Sequence, residues 1–143
     1  MDAAKFLSTY TAFLRALYLI HQNNHWISKG HNFYSNHTML QRLYESAQEN
    51  ADKAAEKVVG LYGSDSINIL DQASDIKKFM SRYTDKNPLV NSLNAEKDFL
   101  KAAQKLYDML SEADELTLGL DDLILSICSD REEAVYLLQQ ALS

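Results

Sequence analysis

The sequence predicts an all-α fold, a four-helix bundle with one long crossover. Three observations carry this. Apolar residues recur at helical spacing over four long stretches, with no strongly alternating segment. Breakers are scarce: Pro88 is the only proline, and Gly30, Gly60, Gly63 and Gly119 are the only glycines. A sandwich or barrel needs many more turns than that. The 143 residues, 46% hydrophobic and 24% charged, suit one globular domain over 1–143 and are too apolar for a disordered chain.

The first helix is expected over about Asp2 to Ser28, with Phe6, Tyr10, Phe13, Leu14, Leu17, Tyr18 and His21 on one stripe. Gly30 ends it. The second is expected over about Tyr34 to Leu61, with Leu40, Leu43, Ala47, Ala51, Ala54, Val58 and Leu61 as its stripe. So short a turn makes these two an antiparallel hairpin. The stretch from Gly63 to Ser92 is too long for an idle loop. Leu70, Ala73, Ile76 and Met80 predict a short helix inside it, ending before Pro88. The third long helix is expected over about Leu93 to Ala113, on Phe99, Ala103, Leu106 and Leu110. The fourth runs over about Thr117 to Leu142, on Leu120, Leu123, Ile127, Val135 and Leu138. Hairpin, long crossover, hairpin is the connectivity of ferritin-like bundles.

Cys128 is the only cysteine, which excludes an intrachain disulfide and a Cys-rich zinc site and reads as a small buried apolar residue. The apolar run Ala16 to Ile20 is cut by Arg15 and His21, far short of the ~20 residues of a membrane span. Ser8, Thr9, Thr11 and Arg15 interrupt the N-terminal segment, so it does not read as a secretion signal. The expected address is cytoplasmic.

All four histidines lie between residues 21 and 37. The hairpin brings His25 and His37 to the same end of the bundle, either as two polar residues near a turn or as a ligand pair. Asp52 and Glu56 are four apart, so both carboxylates share a face of the second helix. They form either a solvated acidic face, with Lys53 and Lys57, or a second half-site. No histidine has a glutamate three residues before it, so the Glu-x-x-His pair of an intrabundle di-iron centre is missing. Fifteen residues separate His37 from Asp52, about 22 Å along a helix. The two cannot hold one ion within a chain. If two copies of the second helix cross antiparallel near residue 45, His37 of one chain faces Asp52 and Glu56 of the other, and each two-fold contact makes the site twice.

The stretch His25-Trp26-Ile27-Ser28-Lys29-Gly30-His31-Asn32-Phe33-Tyr34-Ser35-Asn36-His37, continuing through Leu43-Tyr44 to Asp52-Lys53-Ala54-Ala55-Glu56-Lys57, resembles the signature of the miniferritins, the Dps family. The match is specific over roughly residues 20 to 63. Elsewhere it rests on helix order and length. The resemblance implies a ferritin-like four-helix bundle with a short extra helix in the crossover, assembled as a hollow homododecamer. The implied activity is ferroxidase: oxidation of Fe(II), typically by hydrogen peroxide, with ferric iron stored inside, protecting against oxidative stress. It further implies that His25 and His37 of one subunit hold iron with Asp52 and Glu56 of the two-fold partner, Glu56 bridging two irons. Imidazole and carboxylate suit iron and leave positions open for the oxidant. Trp26 resembles a family tryptophan that takes up oxidising equivalents; its other reading is packing at the dimer contact. Gln41 departs from the pattern. Many family members carry aspartate there, and a neutral amide is a poorer ligand for the second iron.

The family includes DNA binders. This chain has fourteen Lys and Arg against twenty Asp and Glu, a net charge of −6 and a pI near 5.1. Phosphate neutralisation needs the opposite balance; twelve copies carry about −72 and repel DNA on average. DNA binding is therefore not expected. His21 and His31 match no ligand position, and Tyr44 reads as packing near the axis. Asp114, Glu115, Asp121 and Asp122 cluster before and at the start of the last helix. They either complement its dipole or line a symmetry pore that concentrates cations.

Overall fold

The computed structural model describes residues 1–143. Helices α1 (Ala3–Ile27), α2 (Phe33–Tyr62), α4 (Pro88–Glu112) and α5 (Leu118–Leu142) form the bundle; α3 (Ile69–Met80), after a single 3₁₀ turn at Ser64–Ser66, lies in the crossover. Local chemistry sets the boundaries. Side chains of Asp2, Asn68, Asn87 and Thr117 each accept a backbone N–H in the first turn of the helix that follows. Helix α4 starts at Pro88, more than a turn earlier than the apolar stripe predicts. Proline suits the first helical position, where its missing N–H would have no partner, and Asn87 caps it. Gly30, at φ +97°, makes the left-handed turn between α1 and α2.

Helix α1 packs on α2, α3 and α4, while α5 closes the bundle against α2 and α4. Ala47, Ala51 and Ala54 let α2 approach α1 closely, and Leu14, Leu17, Phe99, Leu110 and Ile124 fill the interior. Phe13 stacks on Phe79 at 4.3 Å between centroids and meets Phe99 edge-on at 5.4 Å, tying α3 to the core. Leu40, Leu43, Leu89, Ala134 and Leu138 form a second cluster, which joins the start of α2 to the start of α4 and the end of α5.

Some expected core positions face outward. Leu70 and Ala73 are exposed because α3 rests on α1 alone and buries only a narrow stripe through Gln72 and Ile76. Phe6 and Leu61 are also exposed, near helix ends. Cys128 is half-buried; burial first, and Glu132 second, push its thiol pKa up. No helix is long and apolar enough to cross a membrane.

Candidate metal centre

His25 stands in the last turn of α1 and His37 in the second turn of α2, and the Gly30 turn folds one onto the other. Their rings stack at 3.6 Å between centroids, 13° from parallel. His25 Nδ1 donates to the His37 carbonyl at 2.6 Å, and His37 Nδ1 donates to the His25 carbonyl at 2.8 Å. A carbonyl only accepts, so each Nδ1 carries the proton. In the neutral rings, each Nε2 then keeps its lone pair, the tautomer a metal ligand needs. Phe33 stacks on His37 at 4.8 Å, and Tyr44 meets His25 edge-on at 5.3 Å. Asn24, adjacent to His25, donates to the Pro88 carbonyl and to Ser92 Oγ, which anchors the end of α1 to the start of α4.

Asp52 and Glu56 lie exposed on α2. The fold does not bring them to the histidines, and no three His, Cys, Asp or Glu side chains converge within one chain. Trp26 is 66% exposed. Gln41 donates to Glu45 Oε1 at 3.0 Å, one turn on. The Asp121 carboxylate is the first cause that raises the Tyr107 pKa, ahead of burial; Asp121 is half-buried and Asp122 is exposed.

The ferritin-like domain model matches residues 4–143. The chain belongs to the ferritin-like domain family. Its relatives there are Dps proteins. It is 23% identical to the DNA protection during starvation protein of Listeria innocua, over 96% of this chain and 89% of that one. Among solved structures, Dps from Microbacterium arborescens in its high iron form superposes with a TM-score of 0.79 at 24% identity, covering 98% of this chain and 91% of the other. DpsC from Streptomyces coelicolor gives 0.83 at 20% identity, over 99% and 83%. Dps from Vibrio cholerae, described as a member of a broad superfamily of ferritin-like diiron-carboxylate proteins, gives 0.81 at 19% identity, over 99% and 89%.

Within this ferritin-like bundle the sequence reading missed one polar group. His21, Glu96 and Arg131 are fully buried together. His21 Nε2 donates to Glu96 Oε2 at 2.7 Å, and Ser92 lies 2.9 Å from Nδ1. Arg131 Nε lies 3.6 Å from Glu96 Oε1, and its Nη2 donates to Ser46 Oγ. A fixed guanidinium charge therefore stands between α2, α4 and α5. The available signal was placement: Glu96 and Arg131 both fall on the apolar stripes of their helices.

Proposed function

We propose that this protein is a cytoplasmic Dps-like miniferritin that oxidises Fe(II) with hydrogen peroxide at sites shared between two-fold-related subunits. The ferric product is stored in a hollow dodecamer. The observation that carries the reading is the His25–His37 pair. Two imidazoles are held in register by reciprocal Nδ1–H bonds, and both keep an Nε2 for iron. Isolated polar residues near a turn have no need of that arrangement. Asp52 and Glu56 of the partner complete the site with hard oxygen donors, and iron is the substrate. Each Fe(II) supplies one electron; two electrons break the O–O bond, and two protons complete two waters.

A face for the partner supports the same reading. Trp26, Ile27, Phe33 and Tyr34 are exposed apolar residues around the α1–α2 turn, a grouping that marks a contact surface. Trp26 then lies at the contact beside the site. The test is anaerobic loading with Fe(II), a pulse of peroxide and a record of ferric absorbance. Stoichiometric ferric iron is expected. Fe(II) left unoxidised by the assembled protein beyond a protein-free control would overturn the reading.

A further inference from the structure

The last two turns of α1 are buried without apolar side chains of their own. After Ile20 the buried residues of this helix are His21, Asn24 and His25, all polar, while Trp26 and Ile27 are exposed. Hydrogen bonds hold this end of α1 to α4 instead. Asn24 Nδ2 donates to the Pro88 carbonyl at 2.9 Å and to Ser92 Oγ at 2.8 Å. The neutral His21 ring has its proton on Nε2, toward Glu96, so its Nδ1 accepts from the Ser92 hydroxyl at 2.9 Å. Ser92 is fully buried, and its one hydroxyl joins both side chains. The anchor is firm: Asn87 caps α4 one turn earlier, and Leu89 packs in the second apolar cluster.

The histidine pair depends on where that end of α1 sits. Which nitrogen of a neutral imidazole carries the proton is set by the hydrogen bond it finds. His25 and His37 carry theirs on Nδ1 because each meets the other's backbone carbonyl, at 2.6 and 2.8 Å. Such bonds are lost beyond about 3.2 Å. A small slide of α1 along α2 therefore weakens both at once, and the protons redistribute onto Nε2, the nitrogen that iron needs free.

We propose that Ser92 is a positioning residue for the iron site. Through Asn24 and His21 it fixes the end of α1 against α4, and so holds the His25 and His37 rings in the tautomer that leaves both Nε2 atoms free. Ser92 bonds to neither of those histidines; it acts through the residue before His25 and the residue one turn earlier. Glu96, beside Arg131, extends the same strap to α5. This rests on the iron-binding reading proposed above.

The test reads the assembled protein in two ways. Solid-state nuclear magnetic resonance with heavy-nitrogen histidine reports the tautomers without metal, His25 and His37 being assigned by their loss in the alanine variants. Titration with Co(II), followed by visible absorbance, reports the site with a cation that stands in for Fe(II). In the native protein both rings are expected to carry the proton on Nδ1. Ser92→Ala is expected to give a mixture of tautomers and to raise half-saturating Co(II) about tenfold, the effect of losing a ligand's supporting partner. Ser92→Thr keeps the hydroxyl and is expected to restore much of both. Asn24→Leu is similar in size but has no donors; it cuts the strap on the α1 side and is read in the same way should Ser92→Ala not fold. Gln72→Ala is the control. It removes buried bonds to Ser8, about 25 Å along α1 from His25, and should lose stability yet keep the native tautomers and Co(II) affinity. Native tautomers and Co(II) binding in both Ser92→Ala and Asn24→Leu overturn the positioning role, as does a Gln72→Ala protein that shifts them equally. A native protein that binds no Co(II) overturns the iron-site reading, and this inference with it.

Discussion

His25 and His37 each spend one ring nitrogen on the other's backbone and keep one for chemistry. Replacing either by alanine removes a proposed ligand but only one of the two cross-bonds, worth about 1 kcal/mol. His25→Ala and His37→Ala are therefore expected to leave helical circular dichroism intact. Iron oxidation should fall at least about tenfold, no less than for loss of a ligand's supporting partner. The buried polar group behaves oppositely. Glu96 is the carboxylate beside the fully buried Arg131. Glu96→Ala leaves a buried guanidinium without its counter-charge, a loss of about 3–5 kcal/mol. Denaturant unfolding of the assembled protein measures this; a shift under about 1 kcal/mol would mean Arg131 has found other compensation.

At the scale of elements, α2 carries both halves of the proposed site, His37 near its start and Asp52 and Glu56 further along. Chains carrying His37→Ala, mixed and reassembled with chains carrying Asp52→Ala, should recover activity. In a mixed dimer both lesions fall in one site and the other stays intact. Reassembled mixtures as inactive as the parents would rule out sites between chains. The α4–α5 turn is strained at one residue. Asp114 adopts φ +58°, while Glu115 N–H bonds to the Leu110 carbonyl and Asp114 N–H to that of Ser111, the Schellman pattern in which glycine is usual. Asp114→Gly should raise thermal stability, by up to about 1 kcal/mol. Tyr83, in the α3–α4 connection, donates to Asp98 at 2.9 Å; burial first, then that bond and the Asp98 charge, raise its pKa. Tyr10 is raised the same way, by burial first. Both are neutral phenols in the fold, while the unfolded chain loses those protons near pH 10. Their contribution is complete below about pH 10 and is lost as pH rises above it. Melting temperatures should therefore decline above that pH, less steeply in Tyr83→Phe.

The whole molecule carries a net charge of −6, and the proposed cage of such chains would attract cations. Asp114 sits in the turn before α5, and Asp122 is exposed in its first turns, whereas Asp121 is half-buried. The double variant Asp114→Asn, Asp122→Asn tests these two as a route inward for iron. Asparagine tolerates the left-handed backbone at 114, so the substitution changes charge and leaves the turn alone. Uptake at low Fe(II) should slow, as it should for the native protein in added salt. Saturating Fe(II) should restore most of the rate, because the proposed two-fold sites are untouched. Equal uptake at low Fe(II) would take these aspartates off the path. Light scattering tests the assembly itself: an active monomer would sink the shared-site model.

Four long helices, their order and the long crossover were legible in the sequence, because a 3.6-residue apolar period survives without tertiary context. So was the placement of His25 and His37 at one end of the bundle, since the short turn around Gly30 leaves the two helices no other course; that their rings stack was not. Cap chemistry shifted the start of α4 to Pro88, outside what an apolar stripe records. Three things were decided only by the folded chain. The ring contacts from His25 to Tyr44 to Tyr18 join residues of two helices whose facing no spacing rule specifies. Glu96 and Arg131 were hidden because a charged residue on an apolar stripe is visible in sequence only as a blemish; its partner lies on another helix. Asp121 and Asp122, adjacent in sequence, differ in burial, Asp121 half-buried and Asp122 exposed. Helical period is a local property of the backbone, whereas ion pairs, ring contacts and tautomers depend on which side chain a neighbouring helix happens to present.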